Sequence, residues 1–84
     1  MITARQSRAA RALLGWTQET LADRAQVSLT ALKRLESESG FDVYETTRDQ
    51  VRRAFESAAI VLLSTDKGEG VLRLHEGNIT KPRA

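Results

Sequence analysis

The sequence predicts a mainly α-helical fold of about four short helices, followed by a C-terminal β-hairpin. Two threonines, Thr3 and Thr47, are each followed three positions later by glutamine, which is the capping-box pattern of a helix start. Between them, residues 17–36 carry apolar side chains at helical spacing, separated by polar and cationic ones. After residue 59 the pattern changes to two short apolar runs around a turn-rich segment, which is typical of a hairpin.

The first predicted helix covers Ala4–Leu14. Thr3 and Gln6 form its capping box, and the segment is rich in Ala, Leu and Arg, which are good helix formers. Gly15 can adopt the left-handed conformation that ends a helix. Trp16 follows, and we expect it to pack back on the end of this helix.

The next two helices are short and are joined by a tight turn. Thr17 caps the second helix, which runs to about Ala25, and Ser28 caps the third, Leu29–Glu36. The turn between them is Gln26-Val27. The apolar positions are Leu21, Ala22, Ala25, Val27, Leu32 and Leu35. This pattern predicts a helix-turn-helix motif, whose second helix is the kind that enters the major groove of DNA.

Residues 38–46 are predicted to be a loop, with Phe41 and Tyr44 anchored to the core. The capping box of Thr47 and Gln50 predicts a fourth helix from Arg48 to about Ala58. Its apolar face has i, i+3, i+4, i+7 spacing and consists of Val51, Ala54, Phe55 and Ala58. The three arginines of this helix are Arg48, Arg52 and Arg53. They could touch phosphates, but pairing with Asp49 and Glu56 on the same face is the simpler interpretation.

The predicted hairpin pairs Ile60–Leu63 with Val71–Leu74 through the turn residues 64–70. A lone apolar hairpin is marginal in water, so we expect it to have a partner. Pairing with a second copy would make these residues a dimer interface: Ile60, Val61, Leu62, Leu63, Val71, Leu72 and Leu74. The alternative is that both strands pack on helices of the same subunit. The predicted organisation is a helical domain at 1–59, the hairpin at 60–76 and a loose tail at 77–84.

Composition narrows the possible classes of protein. The 84 residues allow one small domain, and the absence of cysteine excludes disulfides and thiolate metal sites. Neither a signal peptide nor an apolar run of about 20 residues is present, so the expected location is the cytoplasm. Residues 1–37 carry a net charge of +3 and residues 38–66 a net charge of −3. A cationic first half suits a phosphate backbone, although a mixed surface would look similar.

The outer face of the third helix is the candidate DNA reader. Arginine, here Arg34, reads guanine through O6 and N7, while Thr30 can contact a thymine methyl and Lys33 a guanine or a phosphate. The amide of Gln18, in the first turn of the second helix, can bond a phosphate oxygen. A merely solvated helix face is the alternative. The candidate DNA contacts are Thr17, Gln18, Ser28, Leu29, Thr30, Lys33, Arg34 and Ser37.

Residues 3–37 resemble the helix-turn-helix domain of the Cro/C1 repressor family, also called XRE-like regulators. The matching segments are Arg8-Ala-Ala-Arg11, Leu14-Gly15-Trp16-Thr17-Gln18, Leu21-Ala22, Val27-Ser28 and Leu35-Glu36. The resemblance implies a lambda-repressor-like fold in which Gln18 holds a phosphate. It also implies that Leu29, Thr30 and Arg34 read base edges, and that Arg11 and Glu36 form a structural ion pair.

Three features depart from that family's pattern. Gln26 stands where the turn usually has glycine, and Ser7 stands where the first helix often has leucine, which predicts a thinner core. One helix and a hairpin replace the family's usual fourth and fifth helices, which leaves the dimer geometry open.

Two functional hypotheses follow. The first is a transcription regulator that binds a short two-fold operator as a homodimer, with half-sites about 10 base pairs or a multiple apart. The second is a protein-interaction module, an antitoxin or anti-activator, whose hairpin docks on a partner protein. Catalysis is not indicated, because His75 is the only histidine and no nucleophile or metal-ligand cluster accompanies it. The segment Gly68–Gly70 is too short for a nucleotide loop, and no cofactor is expected.

Overall fold

A computed structural model of the chain describes residues 1–37 and 43–75. The elements in chain order are α1 (Ala4–Leu14), α2 (Gln18–Ala25), α3 (Leu29–Glu36), α4 (Glu45–Ser57), β1 (Ile60–Thr65) and β2 (Gly68–Arg73). The prediction of a mainly helical fold with a C-terminal hairpin is therefore confirmed. None of the described helices has the length and apolarity that crossing a bilayer requires.

The predicted caps of the first three helices are confirmed. The Thr3 hydroxyl accepts a hydrogen bond from the Gln6 amide, and the Gln6 side chain accepts one from the Thr3 amide, both at 3.1 Å. Gly15 ends α1 in the left-handed conformation, with φ of 70°. Gln26 takes the same left-handed conformation after α2, with φ of 58°. Residues with a side chain seldom adopt this conformation. Ser28 caps α3 by accepting from the Ala31 amide at 3.0 Å.

The predicted start of α4 is wrong by three residues. The helix begins at Glu45, its N-cap is Tyr44, and no side chain forms a cap hydrogen bond there. Thr47, the predicted cap, is buried inside the first turn, so its packing outweighs its capping preference. Tyr44 was expected in the core but is 83% exposed, and Val43 packs against the core instead. Phe41 lies outside the described residues.

The core is formed by all four helices together with the start of β1. Its buried members are Ile2, Ala10, Leu21, Ala22, Ala25, Leu32, Leu35, Val51, Phe55 and Ile60. Trp16 stacks on Phe55 of α4 with ring centroids 5.9 Å apart, and the guanidinium of Arg24 lies 4.7 Å from the Trp16 centroid. Trp16 therefore connects the end of α1 to α2 and α4, a wider role than the predicted packing on α1.

The hairpin strands are longer than predicted at the turn end. Pairing continues from Ile60↔Arg73 to Thr65↔Gly68, which leaves a two-residue turn, Asp66-Lys67. Leu74 lies beyond β2, but its amide donates to the carbonyl of Ala59 at 2.9 Å. Backbone hydrogen bonding between the two arms of the hairpin therefore extends from the turn to the residues just outside β1 and β2.

One face of the hairpin packs on the helices of its own chain. Ile60 is buried, and Leu62 and Val71 pack partly against the core. The Gln6 side-chain amide donates to the carbonyls of Leu63 and Gly70, at 2.8 and 3.0 Å, and so joins both strands to α1. The opposite face carries aliphatic side chains, among them Leu63 at 45% exposed and Leu72 at 48%.

Candidate nucleic-acid interface

Helix α3 buries one face and presents the other to solvent. Leu32 and Leu35 are fully buried, whereas Thr30, Lys33 and Arg34 are exposed. The buried pair fixes the rotation of the helix about its own axis, so the three polar side chains are held on the outside. Their chemistry, two cations and a hydroxyl with a methyl group, suits phosphates and base edges.

The other predicted contacts have more mixed positions. Leu29 is half-buried and packs partly against the core. It therefore exposes less surface for a base contact than the sequence predicts. The hydroxyl of Thr17 caps α2 by accepting from the Thr20 amide at 3.0 Å, while that of Ser28 caps α3. Ser37 is half-buried at the end of α3. These residues surround the α2–α3 unit, and the structure places them at helix ends.

The carboxylate of Glu36, at the end of α3, is the centre of a buried polar cluster. Arg11 donates to it through Nε and Nη2, with the shortest contact at 2.8 Å. The Ser7 hydroxyl donates to Oε2, and the Gln18 side-chain amide donates to Oε1 at 3.0 Å. Arg8 donates to the backbone carbonyl of Glu36. One carboxylate therefore ties α3 to both α1 and α2.

Glu36 stays ionised because its partners outweigh its burial. Burial alone raises the pKa of this carboxyl, but the hydrogen bonds from Arg11, Ser7 and Gln18, together with the charge of Arg11, lower it below its usual value of 4.5. Ser7 is fully buried, yet its hydroxyl has a partner. The expectation that Ser7 merely thins the core therefore missed its role as a hydrogen-bond donor to Glu36.

This cluster also fixes the position of Gln18. The amide nitrogen of Gln18 uses one of its two hydrogens on Glu36. The second hydrogen remains for a further acceptor, such as the phosphate oxygen expected from the sequence. The pair of Arg11 with Glu36 was anticipated by the family resemblance. The bonds from Ser7 and Gln18 were not, since nothing in the sequence marks them as neighbours of Glu36.

Tyr44 is a candidate contact that the sequence analysis missed. Together with Ser28, Thr30 and Arg34 it lines a groove of about 190 Å³ beside α3. An aromatic residue after Val43 was interpreted as a core anchor, and only the structure places it next to the predicted reading face.

The arginines of α4 are engaged within their own chain. Arg52 pairs with Asp49 and, at 2.9 Å, with Glu56, while Arg53 pairs with Asp49 at 2.9 Å. Arg48 instead donates to the carbonyl of Ile2 at 2.8 Å. These contacts favour surface pairing over phosphate binding for α4. Within residues 1–37 and 43–75, no cluster of His, Asp or Glu side chains could hold a metal ion.

The three helices, their caps and the exposed cationic face of α3 define a helix-turn-helix DNA-binding domain. A family model described as Helix-turn-helix matches residues 8–40, which is well under half of the chain. The match supports a Cro/C1-type helix-turn-helix segment within the chain, of the kind that acts in DNA-binding transcription regulation. No curated protein and no solved structure matched the chain.

Proposed function

We propose that this protein is a sequence-specific transcription regulator that binds a short two-fold operator as a homodimer, with α3 in the major groove. The observation that carries the proposal is the division of α3 into a buried leucine face and an exposed face with Thr30, Lys33 and Arg34. This division occurs within the segment that matches the helix-turn-helix family model.

The roles of the individual residues follow from their chemistry. Arg34 reads a guanine through two hydrogen bonds, Thr30 contacts a base edge or methyl group, and Lys33 binds a guanine or a phosphate. Gln18 binds a backbone phosphate from the start of α2, where the helix dipole also favours an anion. Since Glu36 holds the Gln18 amide, the phosphate contact and the orientation of α3 are coupled.

The homodimer follows from the geometry of two-fold operators. A fixed contact between two subunits would hold the two copies of α3 at the separation of half-sites about 10 base pairs or a multiple apart. The hairpin is the proposed element for this contact. Its outer face offers Val61, Leu63 and Leu72, while Ile60 belongs to the core of its own chain and Leu62 and Val71 pack partly against that core.

A mobility-shift assay tests the proposal. The probes are the DNA upstream of the protein's own gene and a random duplex of the same length, each at two salt concentrations. We expect tighter binding to the upstream DNA that survives the higher salt. Equal binding to both probes that disappears with salt would mean phosphate contact alone and would contradict sequence-specific regulation.

A second candidate function is favoured by the exposed aliphatic residues of the hairpin. Leu63 and Leu72 are both close to half exposed, which would suit an antitoxin or anti-activator that holds a partner protein. The gene neighbourhood separates the two functions, because an adjacent gene for a toxin or an activator would favour the second. The two functions are compatible if the protein also controls its own promoter.

A further inference from the structure

The second strand of the hairpin has an edge whose charges match a second copy of itself. In the described part of the chain the sheet has two strands, so no other strand pairs with β2 on the side away from β1. Thr65 and Gly68 close a two-residue turn, which makes them a hydrogen-bonded pair. Pairing alternates along an antiparallel ladder, so Glu69, Val71 and Arg73 direct their amide and carbonyl groups outward.

We propose that β2 pairs with β2 of a second copy, antiparallel and with the two-fold axis at Val71. This inference rests on the proposed homodimer and specifies its contact. In this register Val71 faces Val71 of the partner subunit, and the outward amides and carbonyls of both strands meet. Each Glu69 faces Arg73 of the partner subunit, and this occurs twice because the axis relates the two pairs. The product is a four-stranded antiparallel sheet.

The charges select this register over its neighbours. Glu69 and Arg73 lie four residues apart on one side of β2, and the midpoint between them is Val71. A shift of the register by two residues would separate the charged pairs. Opposite charges directly across a pair of strands are stabilising, and like charges there are destabilising. Both residues are exposed, although the Glu69 carboxylate also accepts a hydrogen bond from the Thr3 hydroxyl at 2.7 Å.

Gly70, one of the two glycines of β2, fits the same arrangement. In the proposed register Leu72 faces Gly70 of the partner subunit, in the closely spaced type of pair. A side chain at Gly70 would lie 4.0 Å from Leu63, so packing within the chain does not require glycine there. The missing side chain leaves room for the leucine of the second copy.

The edge of β1 is less suited to the same role. The equivalent register centred on Leu62 would face Ile60 with Ser64, without a charged pair. Ile60 is only 2% exposed, so the start of β1 is covered by the helices of its own chain.

Charge reversal tests the register directly. Glu69→Lys and Arg73→Glu each create two like-charge pairs in a homodimer, and we expect each to weaken dimerisation by about tenfold or more in sedimentation equilibrium. The double variant restores opposite charges, as does a mixture of the two single variants, and both should recover dimers close to the wild-type affinity. Rescue in a mixture requires contact between chains, which an effect inside one hairpin cannot imitate. Glu69→Gln keeps a hydrogen-bond acceptor for Thr3. It should therefore weaken dimerisation less than Glu69→Lys does.

The outcomes separate this inference from the proposed function. Two outcomes would refute the register but retain the homodimer. In the first, the wild type dimerises and neither single variant has a lower dimerisation affinity. In the second, the double variant and the mixture dimerise as weakly as the single variants. In either case loss of the dimer in Leu63→Asp would assign the contact to the outer aliphatic face. A wild type that stays monomeric at concentrations that bind DNA would refute both the register and the homodimer. Thermal melting of each variant checks that it folds.

Discussion

Replacing Glu36 by glutamine tests whether the buried polar cluster organises the DNA-binding unit. The substitution keeps the shape of the side chain but removes its charge. The Arg11 guanidinium then loses its counter-ion while remaining mostly buried, with 20% of its side chain exposed. The new amide group also brings a donor to a site where Ser7 and Gln18 already donate.

The expected cost is a large part of the stability of the domain. Removing one partner of a buried ion pair costs about 3–5 kcal/mol, and the partial exposure of Arg11 favours the lower end, about 3 kcal/mol. A domain of this size has roughly 4–12 kcal/mol in total. At roughly 4–8 °C per kcal/mol, thermal melting at pH 7 should occur roughly 12–24 °C lower in Glu36→Gln than in the wild type.

The difference should depend on pH in one direction. Because the folded state lowers the pKa of Glu36 below 4.5, its charge stabilises the fold above that value, and this contribution is lost as pH falls through the folded pKa. The gap between wild type and Glu36→Gln should therefore be constant near neutral pH and shrink below about pH 4.5.

Glu56→Gln is the matched control, because Glu56 pairs with Arg52 on the exposed face of α4. We expect it to change the melting temperature by about 4 °C or less. If Glu36→Gln melted within the range of Glu56→Gln, or if its deficit were the same at pH 3 and pH 7, the proposed role of the cluster would be refuted.

Four further predictions concern single substitutions. Arg34→Ala should weaken specific DNA binding by roughly 1–3 kcal/mol and relax the preference at one base pair. The control variant Arg53→Ala should leave both the affinity and the preference unchanged. Equal effects of the two substitutions in a competition mobility shift would contradict the role of Arg34. Gln18→Ala should weaken binding to all sequences alike, and a loss confined to one sequence would argue against a phosphate contact. Gln26→Gly should raise stability by about 0.5–1 kcal/mol in urea unfolding, since glycine accepts the positive φ without strain, and an unchanged midpoint would count against this. Leu72→Asp should weaken the dimer if the outer aliphatic face of the hairpin contributes to it, and an unchanged sedimentation mass would exclude that face as the contact.

The helix-turn-helix could be predicted because its signals are local. Thr3, Thr17 and Ser28 each cap the helix that follows. The spacing of the apolar residues in α2 and α3 places them on one face of each helix, so only one way of packing the two helices buries those residues. The left-handed turn after α2 was also expected from the family's usual glycine, and Gln26 adopts it. In these segments local preference and tertiary packing agree.

The remaining features depend on contacts between distant parts of the chain. Gln6 was expected as a capping residue, but its amide also binds carbonyls of the hairpin. Thr47 has the sequence pattern of a cap, yet tertiary burial moves the helix start ahead of it. Ser7 and Gln18 meet at Glu36 only after three helices pack. Contacts of this kind, between residues far apart in the chain, cannot be recognised from the residue spacing of a single sequence.

Selection from a pool of randomised duplexes, followed by sequencing, tests whether α3 reads a specific DNA sequence. We expect enrichment of one short motif repeated with two-fold symmetry, its halves about 10 base pairs or a multiple apart. In the Arg34→Ala protein the same selection should lose its preference at one position of each half. A pool that stays random after repeated rounds, while the protein still retains DNA at low salt, would contradict sequence-specific reading by α3.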